Sequence, residues 1–156
     1  MRGELEGLFG PVDMESPLIP FSITNYYTPE LGPNLQRKFL SFESLINPQR
    51  LAEIKSLTNE LEVRFQRQES KRGINIDPGY LEAGKLVLAT IKNQQHRIYL
   101  GKGIYGEVTL RFRKGRFEPW EWTYPDYRSA PYLKFFNQVR EIYLEQLPKG
   151  EGQKGD

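Results

Sequence analysis

From His96 to Arg113 the chain reads His-Arg-Ile-Tyr-Leu-Gly-Lys-Gly-Ile-Tyr-Gly-Glu-Val-Thr-Leu-Arg-Phe-Arg; Lys114-Gly115 follows, then Arg-Phe-Glu-Pro-Trp-Glu-Trp-Thr-Tyr-Pro-Asp-Tyr-Arg from Arg116 to Arg128. The only histidine and both tryptophans lie here. The stretch predicts a three-strand meander followed by an aromatic, proline-marked loop. His96 to Leu100 forms the first strand. Tyr105 to Arg113 forms the second, with Val108, Leu110 and Phe112 inward and Glu107, Thr109, Arg111 and Arg113 outward. Lys114-Gly115 is a tight hairpin turn. Arg116 to Trp122 is the third strand, bent at Pro119.

Working outward, residues 1 to 10 read as the tail of a helix stopped at Gly10-Pro11. Leu18 to Ile23 reads as a short strand that Pro20 confines to an edge. Asn25 to Asn34 is a loop, and Gln36 to Phe42 a strand. Asn47-Pro48 opens a helix, Asn as N-cap and Pro at the first helical position. Leu51, Ile54, Leu61 and Phe65 follow at helical spacing. Ile74-Asn75-Ile76 is a short strand. Asp77-Pro78 repeats the cap-then-proline signal and predicts a second helix to about Asn93, with a buried strand as the competing reading of Lys85 to Ile91. The last helix begins near Ser129 and carries Tyr132, Phe135, Phe136, Val139 and Tyr143 on a broad apolar stripe. This order predicts an α+β fold with an antiparallel or mixed sheet and about three helices. Supplied with a strand ahead of the opening helix, the front part has the ferredoxin-like order.

The totals narrow the classes. A chain of 156 residues predicts one domain, taken as residues 1–150 with a polar tail at 151–156. Apolar residues at 38% and charged residues at 27% describe a packed globular chain rather than a disordered one. The absence of cysteine excludes a disulfide framework, thiolate-ligated zinc and thiol catalysis. It also fits a reducing, cytoplasmic location. Met1 to Glu6 lacks the apolar centre of a signal peptide, and no apolar run is long enough to span a membrane, so no membrane partner is expected. The formal charge of +2 argues weakly for nucleic acid. From Lys92 to Arg116, however, seven Lys or Arg face one acid, Glu107. That run is either the solvated face of a sheet or an anion surface.

Gly101 to Val108 matches the glycine-rich phosphate loop of protein kinases, G-x-G-x-x-G-x-V. The rest of that set is missing: no Val-Ala-Ile-Lys strand, His-Arg-Asp loop or Asp-Phe-Gly follows. The glycines therefore read as a hairpin turn. No Walker loop occurs, and a dinucleotide fingerprint would open a helix rather than a second strand. His96 needs a partner for catalysis or metal binding, and the carboxylates on offer are Asp77, Glu107 and Asp126. Asp77-Pro78-Gly79-Tyr80 is first a capped helix start, after which Lys85 and Lys92 share a helix face. Tyr26-Tyr27 and Tyr124 to Arg128 are polar-tipped aromatics of the kind that line sites in loops.

Four blocks then form a pattern: Tyr26-Tyr27 with Glu30, Gly32-Pro33 and Arg37 to Glu43; Asn75 to Leu81; Lys85 to Thr90 with His96 to Leu100; and Trp122 to Tyr127. Together they resemble a bacterial family catalogued only as a domain of unknown function, some members of which carry an automatic GTP-binding label. The resemblance covers the chain from Leu8 onward. It implies a further strand and most of a helix at the front, relative to which this chain is short. It implies no established activity, and the GTP label finds neither a Walker loop nor an Asn-Lys-x-Asp motif here.

The leading expectation is an uncharacterised cytoplasmic domain that binds a small anionic ligand, a nucleotide or a phosphate ester. Lys38, Lys85, Lys92, His96, Arg97 and Tyr99 would hold it, rimmed by Asp77, Tyr80, Tyr124, Asp126 and Tyr127. The runner-up is a protein-interaction module without catalysis. Third is an RNA-binding sheet using the basic meander with Tyr99 and Tyr105. No cofactor, metal site or oligomeric state is specified.

Overall fold

A computed structural model describes residues 1–21, 35–69 and 73–148. The expected loop at Asn25 to Asn34, with Tyr26-Tyr27, and the tail at 151–156 lie outside these residues. The fold is α+β, with three helices and antiparallel sheets among the described residues. None of these helices is long and apolar enough to cross a membrane. The chain groups into two compact units, residues 1–47 with 57–76 and residues 48–56 with 77–156.

In the first unit, α1 (Arg2–Phe9) ends at Gly10, whose φ of +90° favours glycine and whose N–H donates to Glu6 O at 2.8 Å. A hairpin follows. β1 (Val12–Glu15) pairs with β4 (Leu40–Phe42), and β2 (Ile19–Pro20) pairs with β3 (Gln36–Arg37). The strand expected over Gln36 to Phe42 is thus two short ones, and β1 was not anticipated. Buried Ser16 fixes the step between the two pairs, its Oγ accepting from Phe39 N at 2.9 Å and its own N–H donating to Phe39 O at 3.0 Å. Phe9 and Phe42 meet edge to face at 5.6 Å. The later part of α2 (Leu51–Glu69) belongs to this unit. Residues 74–76 are not a strand; Ile76 N instead donates to Glu62 Oε1 at 2.7 Å.

The second unit is built on a five-strand antiparallel sheet of order β5-β6-β8-β7, with β9 also on β8. Its strands are β5 (Gly79–Glu82), β6 (Lys85–Thr90), β7 (Arg97–Gly101), β8 (Ile104–Arg113) and β9 (Arg116–Pro119). The expected meander is present as β7, β8 and β9. The expected helix from Pro78 to Asn93 is not: that segment is the β5–β6 hairpin, turning at Ala83-Gly84 between the paired Glu82 and Lys85. The run from Leu86 to Ala89 lies in a central strand flanked by β5 and β8, with Leu86, Val87 and Ala89 all buried. A strand covered on both faces needs no polar alternation, which is why its pattern resembles that of a buried helix.

β8 is the axis of this sheet. Its first half pairs with β7, its second half with β9, and nearly its whole length with β6. The register steps between Leu86–Leu110 and Val87–Val108, leaving Thr109 as the extra residue of a bulge. Glu107 and Thr109 were expected to face outward, yet they are 4% and 1% exposed. The bulge and a loop laid over it enclose both. Val87, Ala89 and Ile104 form one core cluster with Leu51 and Ala52 from the start of α2, and Tyr80 and Val108 pack against it. α3 (Ala130–Gln146), placed where the apolar stripe predicted, buries Tyr132, Phe135, Phe136 and Arg140 at helical spacing. Arg140 Nε donates to Ala83 O at 2.8 Å, and its guanidinium lies 3.3 Å above the Phe112 ring.

Gly79 lies opposite Leu88, and a Cβ there would sit 2.4 Å from Val87 O, a backbone atom with no room to retreat. Gly106 is less constrained, its nearest obstacle being the flexible Leu100 Cδ1 at 3.1 Å. Gly79→Ala is expected to cost about 1–3 kcal/mol, the usual penalty of overpacking, and Gly106→Ala clearly less. Urea unfolding of the two variants side by side checks the order.

Candidate functional site

Glu107 lies opposite Arg97 in the β7–β8 ladder. A buried carboxylate must be paired and hydrogen-bonded to be tolerated, and three side chains do this. Arg97 Nε donates to Oε1 at 3.0 Å, His96 Nε2 lies 2.7 Å from the same oxygen, and Thr109 Oγ1 donates to Oε2 at 3.0 Å. An ionised carboxylate only accepts, so Nε2 carries the proton in that contact. The Arg97 side chain is itself only 4% exposed, and its Nη1 donates to Lys92 O at 2.9 Å. The ends of β6 and β7 are tied together in this way.

An aromatic series begins at His96. Its ring stacks on Trp122 at 5.3 Å, Trp122 stacks on Trp120 at 4.9 Å, and the Arg111 guanidinium lies 4.0 Å over Trp120. Trp122 Nε1 donates to Val108 O at 2.9 Å. Thr123 holds the loop beneath: its Oγ1 donates to Thr109 O at 2.6 Å and accepts from Trp120 N at 2.9 Å. Arg128 closes the loop through Thr123 O at 3.0 Å and Trp120 O. The bulge carbonyl is thus satisfied by the loop, and the carboxylate beside it by the strand. His96 retains 20% of its side-chain exposure. Chemically, an imidazole held by a carboxylate is oriented for proton transfer, and the same contacts anchor β7 and the loop to β8.

The expected ligand residues are distributed as follows. His96 and Arg97 come together on Glu107, which was named only as one of three carboxylates for His96. Lys92 contributes its backbone carbonyl to them. Tyr80 and Lys85 lie on neighbouring strands of the β5–β6 hairpin. Burial and the nearby Glu82 charge raise the Tyr80 hydroxyl above its ordinary value of 10.0; the hydrogen bond to Glu82 raises Lys85 above its ordinary 10.5. With a strand in place of a helix, Lys85 and Lys92 do not share a helix face, and Asp77 caps none. Asp126 and Tyr127 are buried in a 3-10 turn (Pro125–Arg128), where the Tyr127 ring meets Tyr132 and Phe136. Tyr124 is exposed beside them. Lys38 lies in the first unit, 3.3 Å from Glu15 Oε1. Trp120 and Trp122 were not anticipated as site residues; the third strand expected to reach Trp122 ends at Pro119 as β9, and the two rings stack on each other in the turn that follows. Among the described residues no group of three or more acids and histidines could hold a metal ion.

A second feature adjoins this cluster. β7 stands at the end of the strand order, and Ile98, Tyr99 and Leu100 are 73%, 59% and 43% exposed in succession. Tyr99 has a local role as well, its hydroxyl accepting from Gly103 N at 3.1 Å and its ring lying 5.3 Å from Tyr105. The Gly101–Gly103 segment is the β7–β8 turn, with φ positive at Gly101, Lys102 and Gly103. Leu100 leans over Gly106, its Cδ1 3.1 Å from where a Cβ would stand.

Removing Glu107 would leave a buried guanidinium without its partner. Glu107→Ala is expected to lower stability by about 3–5 kcal/mol, and Glu107→Gln by less, because the amide still accepts one hydrogen bond. Chemical denaturation of the two variants measures this; a Glu107→Ala protein as stable as the original would refute the assignment.

No curated protein and no solved structure matches the chain. A family model described as a domain of unknown function (DUF4416) matches residues 1–143, and the chain belongs to that family.

Proposed function

We propose that this protein is a cytoplasmic interaction module, one domain over residues 1–150, that engages another polypeptide through the β7 edge. The observation that carries this reading is the succession of exposed apolar side chains Ile98, Tyr99 and Leu100 on a strand at the end of its sheet. Such an edge offers unpaired backbone groups together with apolar side chains, the two elements of recognition by strand addition. A photo-crosslinking residue placed at Ile98 in living cells should give discrete protein adducts, and the same group at Lys114 none. The absence of adducts at Ile98 would overturn the reading.

The second reading, a small anionic ligand such as a nucleotide or phosphate ester, is supported by the partly exposed His96 ring stacked on Trp122. A partly exposed aromatic series offers a surface on which a flat base could stack. A thermal-shift screen against nucleotides and phosphorylated metabolites, with and without Mg²⁺, tests it. A true ligand at a hundredfold excess over its Kd should stabilise by about 2.7 kcal/mol, and the shift should shrink in His96→Ala. A screen with no shift for any compound rejects it.

A further inference from the structure

We propose that one face of β7 and β8 binds single-stranded nucleic acid, its bases stacked on the aromatic rings there and its phosphates held by Lys92 and Lys102. This goes beyond the edge reading, because it uses the face of β7 and not its open side.

The strand register lays out the face. Tyr99 lies opposite Tyr105, and one rung along Arg97 lies opposite Glu107. Side chains two apart on a strand share a face, so these four point the same way. Ile98 and Gly106 pair on the other face. Leu100 leans there as well, since a Cβ on Gly106 would meet its Cδ1 at 3.1 Å. The aliphatic side chains of β7 are thus separated from its tyrosine. Successive rungs of one face are roughly 7 Å apart, within the reach of one extended nucleotide.

Two aromatic platforms stand on this face. The first is Tyr99, 59% exposed, with the Tyr105 ring 5.3 Å away. The second is His96, stacked on Trp122 and held by Glu107 Oε1 at the next rung. Both are fixed in place. Gly103 N donates to the Tyr99 hydroxyl, and Trp122 Nε1 donates to Val108 O. A ring already fixed loses little freedom when a base stacks on it, and stacking accepts any base.

Charge favours a polyanion as the occupant. Between Lys92 and Arg116 seven Lys or Arg stand against one acid, Glu107. Glu107 is 4% exposed and paired with Arg97, so it presents no charge to a phosphate. Arg111 and Arg113 are taken up by Glu118. Lys92 and Lys102 are exposed and flank the face. Lys102 sits in the turn that is hydrogen-bonded to Tyr99, its positive φ of 56° shared with the glycines on either side. Lys92 precedes His96 and is tied to Arg97 through its carbonyl. The opposing acid is Glu121, exposed in the turn between the tryptophans. A duplex keeps its bases stacked inside, so these rings select an unpaired strand.

Fluorescence anisotropy of the full chain with labelled oligouridylate and oligothymidylate of about twelve nucleotides tests the proposal. Both should bind at low salt, and the matching duplex clearly more weakly. A preference for the RNA would assign the 2′-hydroxyl as a further contact; equal affinity would assign base and phosphate alone. The slope of log affinity against log salt should be roughly −1.4, the value for two neutralised phosphates on a single strand. Lys102→Gln should bring it to roughly −0.7. Tyr99→Ala should weaken binding about tenfold, as the loss of one stacked base does, while Tyr99→Phe retains most of it. Glu121→Gln should tighten binding, and Ile98→Ser should leave it unchanged. No binding at low salt overturns the proposal, as do equal binding of the duplex, competition by polyglutamate at equal charge, and binding that Tyr99→Ala and Lys102→Gln both leave intact. Protein adducts at Ile98 without oligonucleotide binding would leave the edge reading standing while this one falls. A thermal shift with a mononucleotide alone would do the same for the small-ligand reading.

Discussion

The second unit depends on how a single buried carboxylate is neutralised. Glu107 sits on the strand that every other strand but β5 touches, and its two oxygens are divided among Arg97, His96 and Thr109. A carboxylate in that position without partners would cost several kcal/mol, comparable to the whole net stability of a small domain. Each partner therefore serves the fold beyond its own bond. Arg97 fixes the register of β7 on β8. Thr109 turns the bulge toward the carboxylate. His96 carries the constraint outward to Trp122, and through Trp120 to Arg111.

The bulge and the loop are two parts of one solution. An extra residue in a strand leaves backbone groups out of step with the neighbouring ladder. Here the Thr109 carbonyl takes the Thr123 hydroxyl, and the Val108 carbonyl takes the Trp122 indole N–H. The loop after β9 is thus held by the irregularity it covers. Its closing turn brings Tyr127 against Tyr132 and Phe136 at the start of α3. The position of the last helix follows from the same chain of contacts, assisted by the Asn137 side chain, which accepts from Phe117 N at 2.9 Å.

Much of this was legible in the residues, and the failures have definite causes. The meander was readable because Lys114-Gly115 and Gly101 to Gly103 are unambiguous turns and β8 has a long alternating run. The helices were readable from the Gly10-Pro11 stop, the Asn47-Pro48 start and the apolar stripe after Ser129. The β5–β6 hairpin was misread as a helix because Asp77-Pro78 is also a legitimate way to enter a strand, and because Leu86 to Ala89, buried on both faces, carries no alternation to betray it. Ala83-Gly84 was the overlooked turn. For the site, residue types indicated that His96 required a carboxylate but left three candidates. Only the cross-strand register, which sets Arg97 beside Glu107, selects among them. The same register explains why Glu107 was expected outside: strict alternation has no place for the bulge that encloses it.

The carboxylate and the exposed edge are consequences of each other. Arg97 would ordinarily be the charge that keeps β7 soluble and alone. Because Glu107 draws it inward and neutralises it, β7 presents Ile98, Tyr99 and Leu100 to solvent with no exposed charge among them. The irregularity of this edge is in its backbone: the register against β8 shifts between Tyr99 and Gly101, which makes Leu100 an extra residue of β7. The sequence places its lysines at Lys92 and Lys102, on either side of the strand and clear of its centre. The charge of this strand therefore lies inside the sheet and beyond its ends, and its exposed centre is apolar.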